Sequence, residues 1–176
     1  MNKWTKMPLE DVRERVIEAI CSLYRHDCEL LAVDANERSI THKLAEHLQR
    51  EFPGWHVGCE YNRVGRETKK LVVNVEKPEP DDLEAKTVFP DIIVHRRTTP
   101  ENLLVIEVKK ATGRDDTGDI EKLERFTKVR EYRYEYGLFL KLRHDDTPEL
   151  ALYKNGDLND NWTEDLRGVL EELENG

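Results

Sequence analysis

Cysteine is scarce in this chain: Cys21, Cys28 and Cys59 are the three present among 176 residues. An odd number with no Cys-x-x-Cys spacing speaks against a disulfide framework or a thiolate zinc site and for thiols in a reducing compartment. Long apolar runs are missing too. Nothing approaches the roughly 18 consecutive apolar residues of a membrane span. The opening MNKWTKMPLE lacks the apolar segment of a secretory signal, so a cytoplasmic protein is the expectation. Basic charge is not in excess. Lys and Arg number 28 against 37 Asp and Glu, a net charge of −9, which argues against a protein that coats nucleic acid by bulk charge. An enzyme with a local basic face remains open, with Arg96, Arg97, Lys109, Lys110 and Arg114 as its candidates. No triad for a serine or thiol nucleophile is present.

What is there is enough for one domain over 1–176, with a modest core and a highly charged surface. Pro8 to Leu31 carries Val12, Val16, Ile17, Ile20, Leu23 and Tyr24 at three- and four-residue intervals, which predicts a helix. His26-Asp27 is placed to interrupt it. A second helix is expected from Asn36 to Glu51, ended by Pro53-Gly54. Ile40, Leu44 and Leu48 define its apolar stripe, and Glu37 falls in the middle of that stripe. A core-facing acid needs a partner. Two explanations stand side by side: a functional carboxylate, or a capping box Asp34-x-x-Glu37. His42 and His47 lie at or beyond the stripe's edge and read as solvated.

Trp55 to Tyr61 reads as a strand, Asn62 to Arg66 as a turn, and Leu71 to Val75 as an extra strand. Glu76 to Lys86 is an acidic, Pro-rich loop. Its Asp81-Asp82 pair mimics a metal site without a rigid strand beneath it. A helix is expected from Asp119 to Glu135, with strands at Gly137–Leu142 and Glu149–Lys154. Asn155-Gly156 is a strong turn signal. Thr163 to Leu173 closes the chain as an acidic amphipathic helix.

The densest information lies in VFPDIIVHRRTTPENLLVIEVKK, Val88 to Lys110. It predicts two β-rich runs around a turn near Thr99, pairing Asp91 with Glu107, Ile93 with Val105 and His95 with Leu103. Alternation sets Leu103, Val105, Glu107 and Lys109 on one face and Leu104, Ile106 and Val108 on the other. Both faces are largely apolar, as in a central strand covered on both sides. The facing acids Asp91 and Glu107 would repel each other. A divalent cation with hard oxygen ligands, Mg²⁺ above all, reverses that sign. Lys109 adds a compact positive charge suited to orienting a water or meeting phosphoryl charge.

Pro90-Asp91, fifteen residues, then Glu107-Val108-Lys109 resembles the signature of the PD-(D/E)xK nuclease superfamily, the restriction-endonuclease-like fold. NERSITHKLAEHLQREFPGWHVGCEYNR is similar to a bacterial group within it. The predicted order of helix, strand, hairpin, helix and strand matches the αβββαβ core of that α/β fold over about 36–142. A mixed sheet flanked by helices and extra N- and C-terminal helices are therefore expected.

The resemblance implies a Mg²⁺-dependent endonuclease, with Mn²⁺ as a substitute, that hydrolyses phosphodiesters, DNA foremost. Asp91, Glu107 and the Val108 carbonyl are its implied metal ligands, joined by Glu37 from the helix. Lys109 is the implied water-positioning residue. Lys122, on the helix after the motif, is a further candidate. Relatives that cut both strands often dimerise. The alternatives are a silent nucleic-acid- or protein-binding module on the same fold and a structural accessory subunit.

Overall fold

The computed structural model describes residues 7–33, 35–59, 63–64, 67–68, 89–112, 115–128, 132–144 and 146–174. The chain is an α/β protein. Helices α1 (Leu9–Ala32) and α2 (Glu37–Glu51) come first. Strands β1 (His56–Cys59), β2 (Arg63–Val64), β3 (Glu67–Thr68), β4 (Ile92–His95) and β5 (Asn102–Lys110) follow. Then come α3 (Thr117–Lys128), β6 (Tyr134–Leu142), β7 (Glu149–Lys154), β8 (Asp157–Asn161) and α4 (Thr163–Glu174). Six strands form a mixed sheet in the order β1-β4-β5-β6-β7-β8, and β2 pairs with β3 apart from it. Within the large sheet β5 and β6 run parallel and the other neighbours antiparallel. Among the described residues no helix is long and apolar enough to cross a membrane.

Two apolar clusters sandwich the sheet. On one face Val12, Val16 and Ile20 of α1 and Ile40, Leu44 and Leu48 of α2 meet Leu104, Ile106, Leu138 and Leu152, with Trp162 and Leu166 added at the α4 end. On the other face Leu123 and Phe126 of α3 pack on Ile93, Val105, Phe139 and Tyr153. From Leu104 to Val108 the alternation along β5 is the one its sequence predicts, but Leu103 is a correction: beside the bulge it joins the cluster of Leu104, not that of Val105. The strand is central. A strand buried from Asn102 to Val108 needs this many branched residues, because each fully buried Val, Leu or Ile contributes about 1.5–3 kcal/mol.

The helix starts and stops follow local chemistry. Asn36 caps α2 by accepting from the Ser39 amide at 2.8 Å. The helix therefore starts at Glu37, and Glu37 does not sit at the third helical position that a capping box requires. Asp34 lies outside the described residues. Asp27 has non-helical angles (φ −129°, ψ 19°) inside α1, where the interruption was expected. His47 is a correction: it is buried, not solvated, and its Nε2 lies 2.7 Å from Asp27 Oδ2. The bend in α1 brings this carboxylate onto α2. His42 is exposed, as expected.

Three further expectations change. The β4–β5 hairpin pairs Ile93 with Val105 as predicted, but a bulge after Val94 sets His95 against Asn102, not Leu103. The turn that follows holds Thr98 at φ 66° and closes through the Arg96 amide to the Glu101 carbonyl at 2.9 Å. The helix after the motif does not reach Glu135. Tyr134 and Glu135 already belong to β6, whose Tyr134 and Phe139 pack on α3. Finally, Asn155 (φ 53°) and Gly156 (φ 87°) form the expected turn, but it leads into β8, a short polar edge strand. The predicted strand Leu71–Val75 and the loop Glu76–Lys86, with Asp81-Asp82, lie outside the described residues, as does Arg114.

Candidate active site

The site forms at the carboxyl end of β5, where the start of β4 and the N-termini of α2 and α3 converge. Glu107 projects from β5 toward the α3 side and is 1% exposed. Its Oε2 accepts from Lys122 Nζ at 2.9 Å. Its Oε1 is buried and meets no hydrogen-bond donor among the described residues. Asp91, one residue before β4, is half-buried, and its Oδ2 accepts from the Val108 amide at 2.8 Å. That bond fixes the Asp91 carboxylate against the motif strand. Glu37 reaches the same strand from the opposite face, with Oε2 accepting from the Lys110 amide at 3.2 Å. The Lys110 ammonium donates to the Ala35 carbonyl at 3.1 Å.

The lysines are arranged differently from expectation. Lys109 Nζ donates to Asp119 Oδ2 at 2.8 Å, and Lys122 Nζ donates to Asp119 Oδ1 at 3.0 Å. The ammonium group on Glu107 is therefore that of Lys122. Next to them, Lys141 of β6 donates to Asp116 at 2.7 Å, side by side with Lys109 in the β5–β6 register. Sequence reasoning missed Asp119, Asp116 and Lys141. A signal existed for Asp119: its i, i+3 spacing to Lys122 puts both on one face of α3.

The electrostatics reflect this crowding. Burial, and then the neighbouring Asp91 charge, push the Glu107 carboxyl up from 4.5 to about 8. Burial also raises Asp91, against the Val108 amide and Lys122, with Glu37 and Asp119 adding to the rise. For Asp119 burial acts upward, but the Lys109 and Lys122 ammonium groups outweigh it and hold the carboxyl below its usual range. Burial alone would lower the Lys122 ammonium; Glu107 and Asp119 outweigh it and hold it above its ordinary value. The Asp119 hydrogen bond raises Lys109. The N-termini of α2 and α3 present positive dipole ends to these acids.

Asp91 and Glu37 also line a cleft of about 820 Å³, together with Asn36, Arg38, His42 and Lys43. Not every predicted group is here. Arg96 and Arg97 belong to the hairpin turn at the far end of β5, about 17 Å of strand from Glu107. There Arg96 stacks over Trp55 at 4.5 Å and pairs with Glu101 at 3.3 Å. Among the described residues no group of three or more His, Cys, Asp or Glu side chains is disposed to hold a metal ion. Comparison of the sequence with protein-family models finds no match, and comparison with curated proteins finds none.

Proposed function

We propose that the chain is a Mg²⁺-dependent nuclease on a restriction-endonuclease-like core, hydrolysing phosphodiester bonds, with DNA as the expected substrate. The core would be α2, β1, β4, β5, α3 and β6. The observation that carries this reading is the convergence of Asp91, Glu107 and Glu37 with two ammonium groups at the end of one buried strand. The donor set suits a hard cation: carboxylate oxygens, including the buried Glu107 Oε1, which has no partner among the described residues. Asp91 and Glu107 would hold the ion; Glu37, which reaches the strand from the opposite face, is a third ligand that the resemblance adds. Val108 contributes through its amide, which orients Asp91; its carbonyl is a further ligand the resemblance adds. A bound Mg²⁺ would supply a water of lowered pKa and offset charge on the phosphate oxygens. Mn²⁺ would substitute.

The chain's own groups do the rest. The cleft beside Asp91 and Glu37 admits a phosphodiester strand, with Arg38 and Lys43 on its wall. Lys109 and Lys122 set positive charge beside the reacting phosphate, where it stabilises developing negative charge. Partners of this reading are nucleic acid and, for cutting both strands, a second copy of the chain.

One observation favours a silent binding module on the same fold. Glu107 already has an ammonium partner in Lys122, and the carboxylates make no three-ligand cluster among the described residues. A plasmid-nicking assay with Mg²⁺, run on wild type, Asp91→Ala and Lys109→Ala, separates the two. Nicking by wild type and its loss in both variants is the expected result. Equal residual activity in all three refutes catalysis, and DNA binding without cleavage favours the silent module.

A further inference from the structure

We infer that Asp119, a residue outside the motif, is the positioning residue for both site lysines. This rests on the nuclease reading for its consequence, though not for its geometry. The Asp119 carboxylate takes one ammonium group on each oxygen, Lys109 on Oδ2 at 2.8 Å and Lys122 on Oδ1 at 3.0 Å. Two like charges on neighbouring elements stay close only with a shared anion between them. Asp119 sits in the first turn of α3, where the helix dipole favours its negative charge. It is half-buried and bound to groups from two elements, so its rotamer is fixed. Lys109 comes from β5 and Lys122 from α3, and Asp119 is the hinge-pin that sets one against the other.

The bridge has a second consequence. Lys122 holds Glu107 and Asp119 at once. Were a cation to take Glu107, Lys122 would keep one carboxylate partner, Asp119, and would stay at the site. A lone Lys122–Glu107 pair lacks that property, because loss of Glu107 would release the ammonium group to solvent.

The test uses full-length protein labelled with ¹⁵N-lysine, as wild type, Asp119→Asn and Asp119→Glu. Lys109→Arg and Lys122→Arg assign the ammonium resonances. In wild type both ammonium groups should give signals protected from solvent exchange. Asp119→Asn should lose the Lys109 signal and shift that of Lys122, and Asp119→Glu should keep both. In plasmid nicking with Mg²⁺, Asp119→Asn should lower kcat about 10- to 100-fold, the usual loss when a group orienting a site residue is removed. KM for DNA should stay within about twofold, and Asp119→Glu should recover most of kcat. Unchanged ammonium signals in Asp119→Asn overturn the inference, as does an active wild type whose kcat is indifferent to this change. A wild type that gives the predicted signals and nicks no DNA overturns the nuclease reading and leaves the positioning role standing.

Discussion

Replacing Glu107 by Gln should make the protein more resistant to alkaline pH in the absence of divalent cations. Glu107 is 1% exposed, and burial with the Asp91 charge raises its carboxyl from 4.5 to about 8. The groups acting on it are Asp91 from the start of β4 and Lys122 and Asp119 from α3. A carboxyl raised in the folded state binds its proton more tightly there than in the unfolded chain. Its contribution to stability is therefore fully present below 4.5 and is lost as pH rises toward 8. Integrating between about pH 5.5 and pH 9, wild type should lose on the order of 3 kcal/mol that Glu107→Gln keeps.

Urea denaturation in EDTA across that range measures the difference directly. The two stability curves should diverge as pH rises, with wild type falling. Mg²⁺ at about 100 times its Kd should then restore about 2.7 kcal/mol to wild type at the upper end, and much less to Glu107→Gln. Parallel curves in EDTA would falsify the account of Glu107 as a buried carboxylate short of positive charge. A divergence without any Mg²⁺ response would keep the electrostatics and remove the cation.

Asp91→Ala should abolish nicking and leave the Val108 amide without its acceptor, at about 1–3 kcal/mol; a chain as stable to urea as wild type would contradict that bond. Lys122→Met should tighten Mg²⁺ binding at about pH 9, because a cation already seated on Glu107 is gone. Calorimetry reads this, and weaker binding would show that Lys122 helps the ion and does not compete with it. His47→Ala should lower the thermal midpoint by removing the partner of Asp27 at 2.7 Å, worth about 1.5–3 kcal/mol for a bond to a charged group. An unchanged midpoint would mean that the bend in α1 does not depend on this pair.

The parts of the fold legible in the sequence are those set by local periodicity. The stripes of α1 and α2, the alternation of β5, the break at Asp27 and the Asn155-Gly156 turn each follow from residues within a few positions of one another. What the sequence hid is set through space. His47 sits at the edge of its helical stripe and reads as solvated; it is buried because α1 bends and offers Asp27. The hairpin register survived near the site and slipped at the turn, where a bulge absorbs one residue. β8, with Asp157, Asn159, Asp160 and Asn161, carries no strand pattern and forms because β7 presents an edge. At the site, Asp91, Glu107 and Glu37 were legible as acids in apolar settings. Asp119 was legible only by half: its i, i+3 spacing marks Lys122 as a partner, but nothing local marks Lys109 as the second.

The pairing of Lys122 with Glu107 bears on both readings of the site, and charge arithmetic separates them. A buried ion pair kept only for stability is a weak device, since well-packed apolar residues often do as well or better. At this position Val105, Ile106 and Val108 already supply such packing. Nor does Lys122 complete the neutralisation. The charges acting on Asp91 include Glu37 and Asp119 against the single ammonium of Lys122, and those acting on Glu107 include Asp91 and Asp119 against that same ammonium. Lys109 is spent on Asp119 and Lys141 on Asp116. One cation cannot satisfy that many carboxylates: burial is the first cause of the rise of Asp91 and Glu107 above their ordinary values, and the neighbouring acids left unbalanced by this deficit add to it. A fold that only needed to be stable would relieve it by substitution at Glu107. Keeping it makes sense where additional positive charge arrives with a ligand, which is why removal of the deficit and removal of the Mg²⁺ response should coincide in Glu107→Gln.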